Sequence, residues 1–479
     1  MITAAVITPM FTLSLSNNLR QDMATRIGVY LFTNDLRTYD NLLLAKASQE
    51  VDHLICVYCM VPMSPFIKHF SLQTDFGTSR LQFSKQCLHQ LNAALNRLGN
   101  KLYVCPDLPT RTLEKILSQY QITDFYCTAH SGWDERSSVD YIEQNHPNIH
   151  IHLASLTSLF KQQQLPFKAQ DLPKTFSQFR KQLEILLPTI LRTSELAYSS
   201  LFSPLEQALP KSLPVQLKQV ELSITKAKPL NFQGGEQAGI EHLQGYFASN
   251  HASRYKQTRN QLDGMSYSTK FSPWLAHGCI SPKQVYWLLK QYEQDNGAND
   301  STYWILFELL WREYFYWYAI AYGRKLFKFS GIAKTRPLTS FYAQRFVMWS
   351  QGQTSYPLVN AFMNQLNRTG FMSNRGRQIV ASCLIHEYQL DWRYGAAYFE
   401  SQLIDYDVAS NWGNWQYIAG VGADPRGGRH FNLNKQQQMY DSNSTFINKW
   451  QGNCHHQGRE HIDLVDWPIS AKQLSLDLE

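Results

Sequence analysis

The strongest constraint on this chain is an alternation that runs from residue 27 to residue 151. Short apolar runs at Ile27–Phe32, His53–Cys59, 101–105 and Asp124–Thr128 are separated by longer stretches at 41–48, 79–98 and 110–120, in which apolar residues recur every three or four positions. The short runs, bounded by turn residues, read as strands buried on both faces, and the longer ones as helices with one apolar stripe. Strands that each return through a helix run parallel, so the pattern predicts βαβ units and a doubly wound parallel sheet covered on both sides. No G-x-G-x-x-G follows the first strand, which argues against an ordinary dinucleotide turn there.

The alternation stops near residue 152. The stretch 153–238 is rich in Gln, Pro, Leu and Lys, with prolines at 166, 173, 188, 204, 210, 214 and 229, and reads as a long connector with short helices. From residue 239 apolar and aromatic residues recur at helical spacing, as in 304–318 and 377–390, which predicts a mostly α-helical second domain ending near 440. A chain of 479 residues accommodates this division into an α/β domain at 26–152, a connector at 153–238, a helical domain at 239–440 and a tail at 441–479. Residues 1–25 form a leader or a misassigned start, with Met23 as the alternative initiator.

That leader lacks the basic region and cleavage site of a secretory signal, and no apolar run reaches 18 residues, so the sequence predicts a soluble cytoplasmic protein without a membrane partner. Eight scattered cysteines in a chain with ample core argue against a disulfide framework. Cys56 and Cys59 form a C-x-x-C, but inside a strand a spacing of three sends the two thiols to opposite faces, a poor metal geometry. The cluster Cys454, His455, His456 and His461 fits no ligand spacing and reads as a solvated tail, so no metal is expected.

Charge and aromatic residues are unevenly spread. The excess of Lys and Arg over Asp and Glu is only 7, yet between Arg312 and Arg377 there are ten basic residues and one acid, Glu313. A solvated face is the plain reading of such a run, but here Tyr, Phe and Trp are interleaved with it, as on a surface that tracks phosphates and stacks bases. Trp133 is the sole tryptophan before residue 240, and eleven follow. Most suit a large helical core. Trp392, Trp412 and Trp415 instead gather around two aspartates and an asparagine in LIDYDVASNWGNWQY, a ring system with polar handles of the kind an isoalloxazine requires.

Five segments then meet in one pattern: LFTNDLRTYDN at 31–41, YKQTRNQLDGMSYSTKFSPWLAHGCISP at 255–282, ELLWREYF at 308–315, TGFMSNRGRQIVAS at 369–382 and DWRYGAAYFESQLIDYDVASNWGNWQY at 391–417. Over residues 27–438 the chain resembles the photolyase and cryptochrome family, in particular its cryptochrome DASH branch. The resemblance implies a folded FAD held in the helical domain. Tyr255, Ser268, Thr269, Lys270, Phe271 and Ser272 would grip its diphosphate, a set of hydroxyls, amides and one cation that suits a pyrophosphate. Asp405 and Asp407 match positions at the ribityl chain and ring, with Arg377 placed to pair with Asp405, since a buried carboxylate needs such a partner. Asn411 matches the residue facing flavin N5, where an amide tolerates a reduced ring carrying a proton. Trp415 and Trp392 match the inner two members of an electron relay. The outer position holds Thr339, with Tyr342 nearby as a substitute.

The same resemblance implies a deoxyribodipyrimidine photolyase, a light-dependent carbon–carbon lyase. Excited reduced flavin lends an electron to a cyclobutane pyrimidine dimer, the ring opens and the electron returns. Glu308, Trp311, Asn374 and Arg375 match the lesion pocket: a carboxyl for the thymine edge, an indole to stack on a flipped dimer and a cation for phosphate. No His lies in 372–375, which favours the cyclobutane dimer over the (6-4) photoproduct. Tyr417 stands where duplex-active enzymes have an indole, which suits single-stranded DNA as the preferred partner, with duplex DNA or RNA as further partners of a monomer. A folate antenna, 5,10-methenyltetrahydrofolate, is also implied, but Gly132 falls where its binding Glu belongs, leaving Glu135 as the near substitute. The competing readings are a blue-light receptor that binds nucleic acid without repair, and a flavoprotein that binds RNA or DNA with light irrelevant.

Overall fold

In the computed structural model, described here over residues 25–453 except 194–200, 224–231, 335 and 424–427, the first half folds around a five-stranded sheet. The leader, Met23 and the Cys454–His461 cluster lie outside the described residues. The strands are β1 Ile27–Phe32, β2 His53–Cys59, β3 Leu102–Cys105, β4 Asp124–Thr128 and β5 His150–Ala154, in the order β3-β2-β1-β4-β5 and all parallel. The first four are the runs expected from sequence. The fifth, HIHLA, was not read as a strand because it is an edge strand with solvent on part of its surface, so nothing forces a continuous apolar run.

The central strand shows why the expected runs were apolar throughout. Val29 and Leu31 pack on one face with Ile55, Val57, Phe125 and Cys127, while Tyr30 and Phe32 pack on the other with Leu54, Cys56 and Tyr126. Cys56 joins the second face and Cys59 packs against the first, so the two thiols do not share a face. The second face has no outer boundary of its own, because its apolar cluster continues without interruption into the helical half.

The connector contains more order than its prolines suggest. Besides two short 3₁₀ turns it carries Phe176–Thr193, an 18-residue helix rather than the short ones expected. From Glu236 on, the described chain is mostly helical. Its longest element, Asp300–Tyr322, starts at a capping box on Asn299, and Trp392–Gln402 and Val408–Ile418 are capped by the carboxylates of Asp391 and Asp407. No helix among the described residues is long and apolar enough to cross a membrane.

The halves are joined by buried polar groups rather than by apolar contact alone. The loop after β1 meets the C-terminus of helix Ser272–His277, where Gly278 adopts φ 66° and a Cβ on it would stand 1.7 Å from the Asn34 carbonyl oxygen. Arg37, 1% exposed, donates to the carbonyls of Gly278 at 3.0 Å and Leu156 at 2.9 Å. Glu236 accepts from the Thr38 amide at 2.9 Å, the Tyr39 amide at 2.7 Å and the Thr38 hydroxyl at 3.0 Å. Glu313 accepts from the Ser158 hydroxyl at 2.6 Å and the Leu159 amide at 3.0 Å.

Candidate functional site

A cavity of about 500 Å³ opens inside the helical half, of a size typical for a cofactor or drug-sized ligand. One wall is a single face of helix Asp300–Tyr322, on which Trp304, Glu308, Trp311 and Phe315 follow each other at helical spacing. Phe315 at 3% exposure marks the deep end, and Trp304, partly exposed, the mouth. Trp311 is held flat by Phe176 from the connector helix, with ring centroids 3.8 Å apart and planes 13° from parallel. Beside it Glu308 pairs with Arg259. Burial outweighs that pairing and holds the Glu308 carboxyl above the ordinary carboxylate range.

The opposite wall is polar. Asp405, buried, accepts from the Ser272 hydroxyl at 2.6 Å and from Arg377 Nη2 at 2.9 and 2.7 Å, while Arg377 Nε donates to the Met372 carbonyl at 2.9 Å. Lys270, 5% exposed and at φ 54°, puts its amine 4.0 Å from the centre of the Tyr267 ring and 4.8 Å from that of Phe371. Burial, with Arg377 close by, pulls this amine down to about 7, and it makes no ion pair among the described residues. Asn411 donates through Nδ2 to the Ala396 carbonyl at 2.9 Å. A carbonyl can only accept, so this contact fixes the amide's orientation and leaves Oδ1 as the acceptor available to the cavity. Next to it Trp415 lies against helix Trp392–Gln402 at Gly395, where a Cβ would come within 2.2 Å of the indole.

Of the residues singled out from sequence, Tyr255, Ser268, Thr269, Lys270, Phe271, Ser272, Glu308, Trp311, Asn374, Arg377, Asp405, Asp407, Asn411, Trp415 and Tyr417 line this one cavity. Asp407 also caps its helix, accepting from the Ser410 amide at 2.7 Å. Arg375, Trp392, Trp412, Thr339 and Tyr342 stand outside the lining. Arg375 donates to Asn260 Oδ1 at 3.2 Å and lies over the Tyr440 ring, at one remove from the cavity. Trp392 is fully buried, donates to the Phe329 carbonyl at 2.9 Å and packs on Trp412 at 5.8 Å, whereas Trp415 meets Trp349 at 6.2 Å. The sequence reading missed Arg259, Asn260, Tyr267, Trp304 and Phe307 as lining residues. Trp304 was findable, since it lies four residues before Glu308 on the same face; Arg259 stood inside a quoted segment without a partner to give it a role.

At the interdomain position expected to hold a second chromophore, Gly132 precedes helix Trp133–Asn145. A Cβ on Gly132 would fall 2.0 Å from Glu135 Oε2, so the Glu135 carboxyl fills the space where a side chain at 132 would begin. His130 Nδ1 lies 3.6 Å from that carboxyl.

Comparison with known proteins decides the family. Residues 28–195 match the model for DNA photolyase, and residues 304–475 that for the FAD binding domain of DNA photolyase. Cryptochrome DASH of Vibrio parahaemolyticus is 51% identical over 94% of this chain and 99% of its own length. The chain belongs to the cryptochrome DASH family. Among solved structures, the Synechocystis cryptochrome superimposes with a TM-score of 0.78 at 37% identity, covering 95% of this chain and 94% of that one. The class III photolyase of Agrobacterium tumefaciens, with a TM-score of 0.71 and 24% identity over 90% of this chain and 88% of its own, shares the fold.

As a cryptochrome DASH chain with a photolyase-type FAD-binding domain, it carries a site whose chemistry fits the flavin. A buried amine that makes no ion pair among the described residues suits a diphosphate, Asp405 is answered by Ser272 and Arg377, and Asn411 Oδ1 offers an acceptor to a ring N–H.

Proposed function

We propose that this protein is a light-driven photolyase for cyclobutane pyrimidine dimers that acts by preference on single-stranded DNA. The observation that carries the reading is that one cavity holds both chemistries: the Glu308–Trp311 face of one helix on one side, and Lys270, Ser272, Arg377 with Asp405, and Asn411 on the other. When bound, FAD supplies the photoexcited electron. The chain's own residues do the rest. Lys270, with the hydroxyls of Ser268 and Thr269, the backbone amide of Ser272, whose hydroxyl is given to Asp405, and Tyr255, binds the diphosphate, Asp407 and Asp405 orient the ribityl side, and Asn411 holds a proton at N5 by accepting it in a hydrogen bond. Trp415, with the fully buried Trp392 as the next member of the relay, re-reduces a flavin that has lost an electron.

Glu308, whose carboxyl burial raises above the ordinary range, hydrogen-bonds the carbonyl or imide edge of a thymine and steadies negative charge on the dimer. Trp311, stiffened by Phe176, offers a flat surface for the flipped dimer, and Asn374 with Arg375 orients the edge and phosphate. Tyr417 stacks less area than an indole. A flipped dimer is therefore held less tightly, and the few kcal/mol needed to unstack it from a duplex is not offset. The Glu135 carboxyl, occupying the space above Gly132, takes the part of the missing glutamate in holding a folate antenna. The working unit is a cytoplasmic monomer.

The test is to reduce the purified protein chemically, illuminate it with blue light and follow a thymine dimer in single-stranded and duplex oligonucleotides. Dimer loss in the single strand alone is expected. Loss in both overturns the role given to Tyr417. No loss in either, with flavin bound and reduced, overturns repair and leaves the light receptor.

A further inference from the structure

The face of helix Asp300–Tyr322 that lines the cavity does not stop at the lesion pocket. One turn before Glu308, about 6 Å along the axis, it carries Trp304 at the mouth. The indole is partly exposed, with Phe307 tilted against it at 4.4 Å and Tyr303 beside it 37% exposed. Two cations lie over the same ring. Arg259 Cζ lies 4.5 Å from its centre and Lys256 Nζ 5.9 Å, while Arg180 Cζ lies 5.4 Å from the centre of Phe307. Arg259 joins this group to the pocket through its pair with Glu308, and Lys256 is held by the exposed Asp300 at 2.9 Å. An aromatic step edged by cations, one turn outside a pocket that takes a flipped dimer, has the composition of a stacking platform for unpaired nucleic acid.

We propose that Trp304 stacks the unpaired base next to the dimer, with Lys256 and Arg259 on its phosphate, and that this step supplies part of the preference for single strands. The inference rests on the photolyase reading and deepens it. A base in a duplex is held by its complement and cannot turn onto the indole, whereas a base in a single strand can, so the step stabilises only one of the two complexes.

The experiment measures affinity of the flavin-loaded protein for a single-stranded oligonucleotide with a central thymine dimer, and for the same strand with an abasic site on the 5′ or the 3′ side of it. Stacking on one aromatic ring is worth enough that Trp304→Ala is expected to weaken binding roughly 5- to 150-fold. The wild type loses affinity for one of the abasic strands, and Trp304→Ala no longer distinguishes that strand from the intact one. Trp304→Phe keeps most of the affinity, and bound flavin absorbance reports that each variant is folded. The loss is smaller on the same dimer in a duplex. If the wild type prefers dimer-containing strands but Trp304→Ala binds them equally well, or if the losses from variant and abasic site simply add, the stacking step is overturned and the repair reading stands. A wild type that binds dimer-containing and dimer-free strands alike overturns the repair reading, and the flanking position with it.

Discussion

At the residue scale the site is a set of partly answered charges. Lys270 is the clearest, because its amine is buried between two rings and makes no ion pair among the described residues. Its value near about 7 in the folded chain lies below the ordinary 10.5, so between these the folded flavin-free protein binds fewer protons than the unfolded one. Stability of the flavin-free protein therefore rises with pH across that window, and Lys270→Met removes this rise in urea titrations at two pH values. The same substitution is expected to weaken FAD binding roughly 10- to 150-fold, the worth of one charge-assisted hydrogen bond, as read by flavin fluorescence. Asn411→Asp is expected to lower the flavin midpoint potential, since a buried carboxylate faces the added charge of the reduced ring. It also loses the bond to the Ala396 carbonyl and costs about 1–3 kcal/mol in chemical denaturation. Polar residues such as these were legible in sequence because their types and spacing resemble one family's pattern. Arg259 was not, because an ion pair across 49 positions leaves no periodic trace.

Elements set which side chains can meet. Helix Val408–Ile418 packs so closely on Trp392–Gln402 that only a glycine fits at 395, and Gly395→Ala drives a methyl into Trp415. Adding a methyl raises helix propensity by about 1 kcal/mol, yet overpacking costs about 1–3 kcal/mol, so a net loss of stability is expected. Flavin photoreduction, followed by absorbance under blue light, is expected to slow in the same variant because the indole shifts. The first four strands and the long central helix were readable because burial on both faces, or along one stripe, writes a period into the sequence. Strand β5 and the helix Phe176–Thr193 were not. The first is half solvated, and the second lies among prolines that mask its apolar stripe, although its Phe176 turns out to brace Trp311.

Over the whole molecule, the two halves share one apolar cluster and are pinned by Glu236, Arg37 and Glu313. Burial lifts the Glu236 carboxyl from 4.5 to about 7, above its value in the unfolded chain. Its contribution is therefore fully present below 4.5 and is lost as pH rises through about 7. Glu236→Gln is expected to flatten the fall in stability between those values while costing about 1 kcal/mol for a weakened acceptor, which calorimetry across that range checks. In an open sheet ordered as this one is, a soluble nucleotide usually settles in the crevice between the ends of β1 and β4, where the strand order reverses. Here the loop leaving β1 at that point is seated against Gly278 and threaded by Arg37. At the point where such a sheet most often offers its loop to a guest, this chain gives that loop to its own helical half, and the switch point serves as a seam.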